Sequence, residues 1–182
     1  MNLLFRLLRI LFGAPFRARV GLLDETGLRM RVWPTDLDGN LHLTNSRYLS
    51  MMDLGRMNLM ARSGALGPML RWRWRPLVGS VVLRFRRSLP AFRRFSLKTR
   101  LLCWDDKWLY LEQRFESDGD VIAIGLAKGL FRGPGGNVAP GELLTALGYA
   151  DTVSPDPDEP IRAWTRMEDD LSHRLRGARR AA

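Results

Sequence analysis

The chain has 182 residues, 46% hydrophobic and 26% charged, the composition of an ordinary globular chain long enough for one compact domain with a real core. Its single cysteine, Cys103, excludes an internal disulfide and a cysteine-based zinc site, so the chain does not depend on an oxidising compartment and a cytoplasmic location is expected. The formal charge of +10 is the unusual quantity, and it points to a polyanionic partner: nucleic acid, an anionic membrane surface or a phosphate-bearing ligand. Ten basic residues and no acid lie between Arg71 and Arg100, whereas the stretch from Asp151 onward sets seven acids against six bases. That basic run reads either as a solvated strand face or as a phosphate-binding face.

The opening segment, residues 1–20, is apolar and basic. Its apolar run is about a dozen residues, interrupted by Arg6 and Arg9, and a membrane-spanning helix needs roughly 20. The arginines sit inside the run rather than before it, which is not the order of a signal peptide. Two readings stand for residues 1–12: a helix lying in a membrane interface, or a helix docked on the domain or on a partner subunit. Gly27–Trp33 alternates and reads as a strand. Pro34–Thr44 is a loop, and a helix is expected over about Asn45–Arg62, with Thr44 or Asn45 as its N-cap and Tyr48, Met51, Met52, Gly55 and Leu59 on one face.

Beyond this helix the chain reads as β-structure. The stretch "RWRWRPLV" puts Trp72 and Trp74 on one side of an expected strand. "SVVLRFRRSL" opposes Val81, Leu83 and Phe85 to Arg84 and Arg86, and "FRRFSLKTRLLCW" sets Phe95, Leu97, Thr99, Leu101 and Cys103 on a common face. "WLYLEQRF" and "DVIAIGLAKGLF" are two further strands, joined by "ESDGD". Ala123, Gly125, Ala127 and Gly129 form a line of small residues on the last strand, with Gly55 of the helix as the expected counterpart. "PGELLTALG" is a short helix stopped by Gly148. Residues 151–182 are a proline- and acid-rich linker and a polar tail, helical over about Ile161–Arg176. Short connections and half-polar faces make the sheet antiparallel, and one sheet of about five to six strands around one long helix is the economical α+β arrangement, over residues 21–150. Such a sheet leaves an edge strand open, so a homo-oligomer is expected.

Chemistry is concentrated at the start of the long helix. "DLDGN" does not continue as a calcium loop, "GPGG" lacks the lysine of a phosphate loop, and two histidines, His42 and His173, do not make a histidine-rich metal site. An acid-rich loop ending at a helix N-terminus remains. Free N–H groups there can hold an anion or stabilise an oxyanion, and a nearby carboxylate can act as base or nucleophile. Ordinary capping and turn chemistry is the other reading, since Asp, Asn and Thr favour such positions for purely local reasons.

The segment "DLDGNLHLTNSRYLSMMDLGR" resembles the signature of hotdog-fold acyl-CoA thioesterases of the 4-hydroxybenzoyl-CoA thioesterase type, most closely their thioesterase-like subgroup. Asp36, Asp38, His42, Asn45 and Tyr48 stand in register with it, and "RFRRSL" and "WDDKWLYLEQRF" are similar as well; the resemblance spans about Gly27–Gly148. It implies a hotdog fold, a homodimer or homotetramer with sites at the subunit interface, and coenzyme A thioesters as substrates with no metal or redox cofactor. It carries the catalytic acid to Asp38 and the carbonyl-polarising N–H groups to the region of Asn45 and Ser46, with Asp36, His42 and Tyr48 in positioning roles. Coenzyme A phosphates would give Arg84, Arg86 and Arg94 a function. Leu41 stands where a glycine is usual and Thr44 where the first asparagine is, which would reshape the pocket. The expected function is acyl-CoA hydrolysis. The alternative is a non-catalytic acyl-CoA or lipid-binding protein held at a membrane through residues 1–12; nucleic-acid binding has no recognition motif to support it.

Overall fold

The structure is a computed structural model that describes residues 3–181. Met1 and Asn2, the first residues of the segment expected at a surface, lie outside the described residues, as does Ala182. The elements in chain order are α1 (Leu3–Gly13), β1 (Thr26–Arg31), α2 (Asn45–Ser63), α3 (Leu66–Arg71), β2 (Arg75–Phe85), β3 (Arg94–Trp104), β4 (Leu109–Ser117), β5 (Asp120–Gly133), β6 (Gly136–Val138), α4 (Pro140–Leu147) and α5 (Glu159–Ala181). All strand pairs are antiparallel, in the order β1-β3-β4-β5-β2, with the short β6 paired to β5.

The curled sheet wraps α2. Tyr48, Met51 and Met52 are buried against Phe95, Leu97, Phe115, Ile122, Ala123 and Ala127. Burial of each such side chain stabilises the fold by roughly 1.5–3 kcal/mol. The helix ends at Gly64, whose φ of 87° is the left-handed conformation that glycine adopts without a Cβ penalty. The β4–β5 hairpin turns at Asp118 (φ 53°) and Gly119 (φ 83°), two consecutive positive-φ positions suited to an Asp-Gly pair.

Four sequence expectations are corrected. Trp72 and Trp74 are not on a strand: the Trp72 amide donates to the Pro68 carbonyl at 2.9 Å and the Trp74 amide to the Met69 carbonyl at 2.9 Å, so helical turns persist past α3 and the alternation is accidental. The basic stretch after them is one strand, β2. Cys103 does not share the face of Phe95 and Leu97. A bulge between Leu101 and Cys103 inserts one residue, pairs Cys103 with Tyr110 and turns it to the outer face. Gly55 does not meet the small residues of β5; a Cβ there would lie 2.6 Å from Thr99 Oγ1, 2.7 Å from Gln113 Nε2 and 2.8 Å from Leu97 Cδ2, all on β3 and β4. Gly125 makes its own close approach, 2.7 Å from a Cβ to Met52 Cε.

The outer face is not left to basic side chains alone. α5 lies on it, burying Ile161 and Trp164 against Cys103 and Tyr110. Lys128 pairs with Glu168 at 2.7 Å. The linker before α5 is pinned where the Ser154 hydroxyl accepts from the Trp104 amide (2.9 Å) and donates to the Trp104 carbonyl (2.7 Å). At the other end of the fold, α1 packs on α2 and β1, its Ile10 clustering with Leu54 of the helix and Leu28 of the strand.

Candidate active site

The loop before α2 is held from both sides. Its first turn, Pro34–Asp36, buries Asp36 completely. The Asp36 carboxylate accepts from Arg6 Nη2 at 2.5 Å and from the Trp33 amide at 3.0 Å, with Arg47 Nε 3.7 Å away. Asp36 therefore ties α1, the loop and α2 together and faces no solvent. Downstream, the Leu43 amide donates to the Leu89 carbonyl at 2.8 Å, and His42 bridges to Pro90, fastening the loop to the β2–β3 connection.

Asp38 is exposed. One of its carboxylate oxygens accepts from the Asn40 amide at 2.9 Å and the His42 amide at 3.3 Å, which fixes the side chain over the turn. The turn requires a left-handed residue and places Leu41 there, at φ 59°. That is the reason a glycine suits this position. His42 is half-buried, and Asn45 and Ser46 are exposed in the first turn of α2. Thr44 occupies the N-cap position without a side-chain capping bond. The Asn45 and Ser46 amides precede the helical ladder, so the start of α2 offers N–H groups to a carbonyl oxygen or an oxyanion.

Tyr48 is elsewhere. It is buried edge-on to Phe85 and Phe115, with ring centroids 5.0 and 4.9 Å away, and burial pushes its hydroxyl up to about 12. The three arginines expected together are apart. Arg94 begins β3, whereas Arg84 lies near the end of β2 and Arg86 just past it, three strands across the sheet and about 14 Å distant on strand spacing alone.

Two cavities stand out. The first, about 320 Å³, is almost wholly apolar and lies along the second half of α2, between Met57, Met60, Leu77, Leu101, Leu111 and Leu143. Asp53 and Arg56 bring charge to its wall. Arg56 is ion-paired to Asp53 and donates to Gln113 Oε1 at 2.6 Å; Gln113 Nε2 donates to the Met52 carbonyl at 2.9 Å and to Thr99 Oγ1 at 3.1 Å. Burial lowers the Arg56 pKa from its ordinary value, against the pull of Asp53. Sequence reasoning assigned no role to Asp53, Arg56 or Gln113. The available signal was a polar residue at an inward position of β4 opposite the glycine of the helix. The second cavity, about 730 Å³, is a cleft between α1, β1 and β3 lined by Arg6, Arg9, Arg29, Arg31 and Arg94. Asp38 lines neither.

The thioesterase-like superfamily matches residues 32–151, which include the loop, α2, the core of the sheet and α4. The chain belongs to that superfamily. Protein THEM6 of Xenopus laevis is 34% identical over 157 residues, 85% of this chain and 74% of its own length. A probable thioesterase of Saccharomyces cerevisiae is 27% identical over 150 residues, 80% of this chain and 65% of its own. A gentisyl-coenzyme A thioesterase of known structure shares the fold, with a TM-score of 0.61 at 18% identity, over 66% of this chain and 99% of its own. The sheet wrapped around α2 is the hotdog fold of these thioesterases.

Proposed function

We propose that this protein hydrolyses acyl-coenzyme A thioesters to the carboxylic acid and free coenzyme A, as a homodimer in which each site draws on both chains. The observation that carries the reading is the Asp38 carboxylate, fixed in the turn that delivers the chain to the uncapped start of α2. Membership of a thioesterase-like family supports it, as does the coenzyme A thioester acted on by a structural neighbour.

In the chemistry, Asp38 accepts a proton from water as the water oxygen attacks the thioester carbon, or attacks that carbon itself to give an anhydride that water then opens. The carbonyl oxygen becomes an oxyanion facing the Asn45 and Ser46 amides. Its collapse breaks the carbon–sulfur bond, and the coenzyme A thiolate leaves and takes up a proton. His42 lines the approach; Asp36 positions the loop without touching substrate.

A single chain separates these parts. Asp53, at the near wall of the apolar cavity, lies eight residues into α2 from Asn45, about 12 Å along the axis. β2 relates the two ends. Its beginning, Pro76–Val78, walls the cavity, and its end, Phe85, touches Tyr48 at the start of α2. β2 is also an open edge of eleven residues carrying exposed Leu77, Val78, Val82 and Phe85. Such an edge calls for a partner. Two copies pairing antiparallel through β2 would set the cavity of one chain beside the partner's Asp38 turn.

Coenzyme A release across acyl-CoAs of graded length and aromatic type tests the activity. Asp38→Asn is expected to lower turnover about a hundredfold or more while substrate binding persists. Mixed dimers of Asp38→Asn with cavity-filling Leu111→Trp test the sharing: a shared site regains one active centre per dimer, a site within one chain regains none. Wild-type turnover by Asp38→Asn overturns the catalytic assignment, and tight binding without hydrolysis by the wild type makes this a binding protein.

A further inference from the structure

α1 is arranged the wrong way round for a helix that meets water. Its arginine points in: Arg6 is 4% exposed and paired with the fully buried Asp36. Ile10, one turn on, is 4% exposed, and Leu3 and Leu7 pack on the same side against Leu28 and Leu54. Its phenylalanines point out. Phe5 is 60% exposed and Phe12 72%, with Leu8 at 40% between them, and Phe16 just past the helix is 91% exposed. At 3.6 residues per turn, positions 5, 8 and 12 fall within an arc of about 60°. The Arg6–Asp36 pair fixes the rotation of the helix, so this face cannot roll inward.

The surroundings are cationic. Arg9 flanks the apolar face and lines the 730 Å³ cleft with Arg29, Arg31 and Arg94. Among the described residues none of these four forms a salt bridge, while the acids of the same cleft are engaged, Glu116 by Arg114 at 3.2 Å and Asp118 by Arg93 at 2.6 Å. Arg19 is exposed just beyond. At 11 residues α1 is far below the roughly 20 needed to span a bilayer, and no helix among the described residues is long and apolar enough to cross a membrane. An aromatic face fringed by free cations on a short helix suits the headgroup boundary of an anionic bilayer, where the rings enter the apolar layer and the arginines meet phosphates.

We infer that α1 docks this protein on an anionic lipid surface, with Phe5, Leu8, Phe12 and Phe16 inserted and the arginine cleft over the headgroups. The inference is independent of whether a thioester is hydrolysed. Co-sedimentation of the full chain with phosphatidylcholine vesicles, with and without about one-third phosphatidylglycerol, tests it. The wild type is expected in the pellet only with the anionic vesicles. Phe5→Ser/Phe12→Ser/Phe16→Ser should weaken binding at least tenfold, and Arg9→Gln/Arg31→Gln about fivefold per charge removed, both with an unchanged melting midpoint because the substituted side chains are not core. A wild type that stays in the supernatant, equal binding to neutral and anionic vesicles, or wild-type binding by the serine variant would each overturn the inference. So would a serine variant whose change is instead a smaller oligomer without vesicles, which would make the face a contact between copies.

Discussion

Removing the Arg6 side chain should loosen the whole front of the molecule, although Arg6 lies in the first helix and far in sequence from the loop it serves. Arg6→Ala leaves the Asp36 carboxylate, 0% exposed, with the Trp33 amide at 3.0 Å and Arg47 Nε at 3.7 Å as its nearest compensation. Breaking one partner of a buried pair typically costs about 3–5 kcal/mol, because the remaining charge stays out of water. Here the cost has a ceiling. α1 can detach and admit water to Asp36, and what is then lost is the packing of Ile10 and its neighbours, about 2–3 kcal/mol. The expected destabilisation is therefore about 3 kcal/mol, at the lower end. For a domain of this size that lowers the melting midpoint by roughly 6–12 °C. Arg6→Leu/Asp36→Asn removes both charges and keeps an acceptor for the Trp33 amide, so it should recover most of the loss. Thermal unfolding followed by circular dichroism, with amide exchange of residues 3–13 as the local readout, measures both. A shift below about 2 °C for Arg6→Ala, or a double variant no more stable than the single, would refute the clamp.

Other perturbations have defined outcomes. Gly55→Ala gains about 1 kcal/mol of helix propensity but drives a methyl to within 2.6–2.8 Å of Thr99, Gln113 and Leu97; overpacking of about 1–3 kcal/mol should win, and a raised urea midpoint would contradict this. Val78→Lys/Val82→Lys sets like charges opposite one another if β2 pairs with itself about a two-fold near Ser80, so light scattering at micromolar concentration should report a monomer, with coenzyme A release lost alongside; a persistent dimer would place the interface elsewhere. The third is a pH dependence. Burial pushes the Cys103 thiol up to about 11, with Asp158 and Asp105 adding to it, against about 9 for an ordinary thiol. The folded state thus holds a proton that the unfolded chain releases first, so its contribution is complete below about pH 9 and is lost as the pH rises toward 11. Cys103→Val should flatten the alkaline decline by about 2 kcal/mol between those limits, and an unchanged slope of urea stability against pH would count against it.

The sequence by itself determined the elements whose cause is local. α2 is legible from the spacing of Tyr48, Met51, Met52, Gly55 and Leu59, the β4–β5 turn from Asp118-Gly119 and β3 from strict alternation, and the run from Asp36 to Tyr48 named the family. Periodicity speaks only of neighbours along the chain, and what it misjudged was decided by contacts across it. One extra residue at the β3 bulge sent Cys103 to the opposite face, because side chains alternate with a period of two and a single insertion inverts everything after it. Strand order put Arg94 and Arg84 on different parts of the sheet, which no count of charges reveals. The direction of Arg6 depended on a buried carboxylate 30 residues away, and an arginine in an apolar run reads as a solvent-facing residue until that partner is known. The candidate site divides in the same way: Asp38 and the start of α2 are one local motif, whereas the apolar cavity and the β2 edge are assembled from segments brought together only by folding.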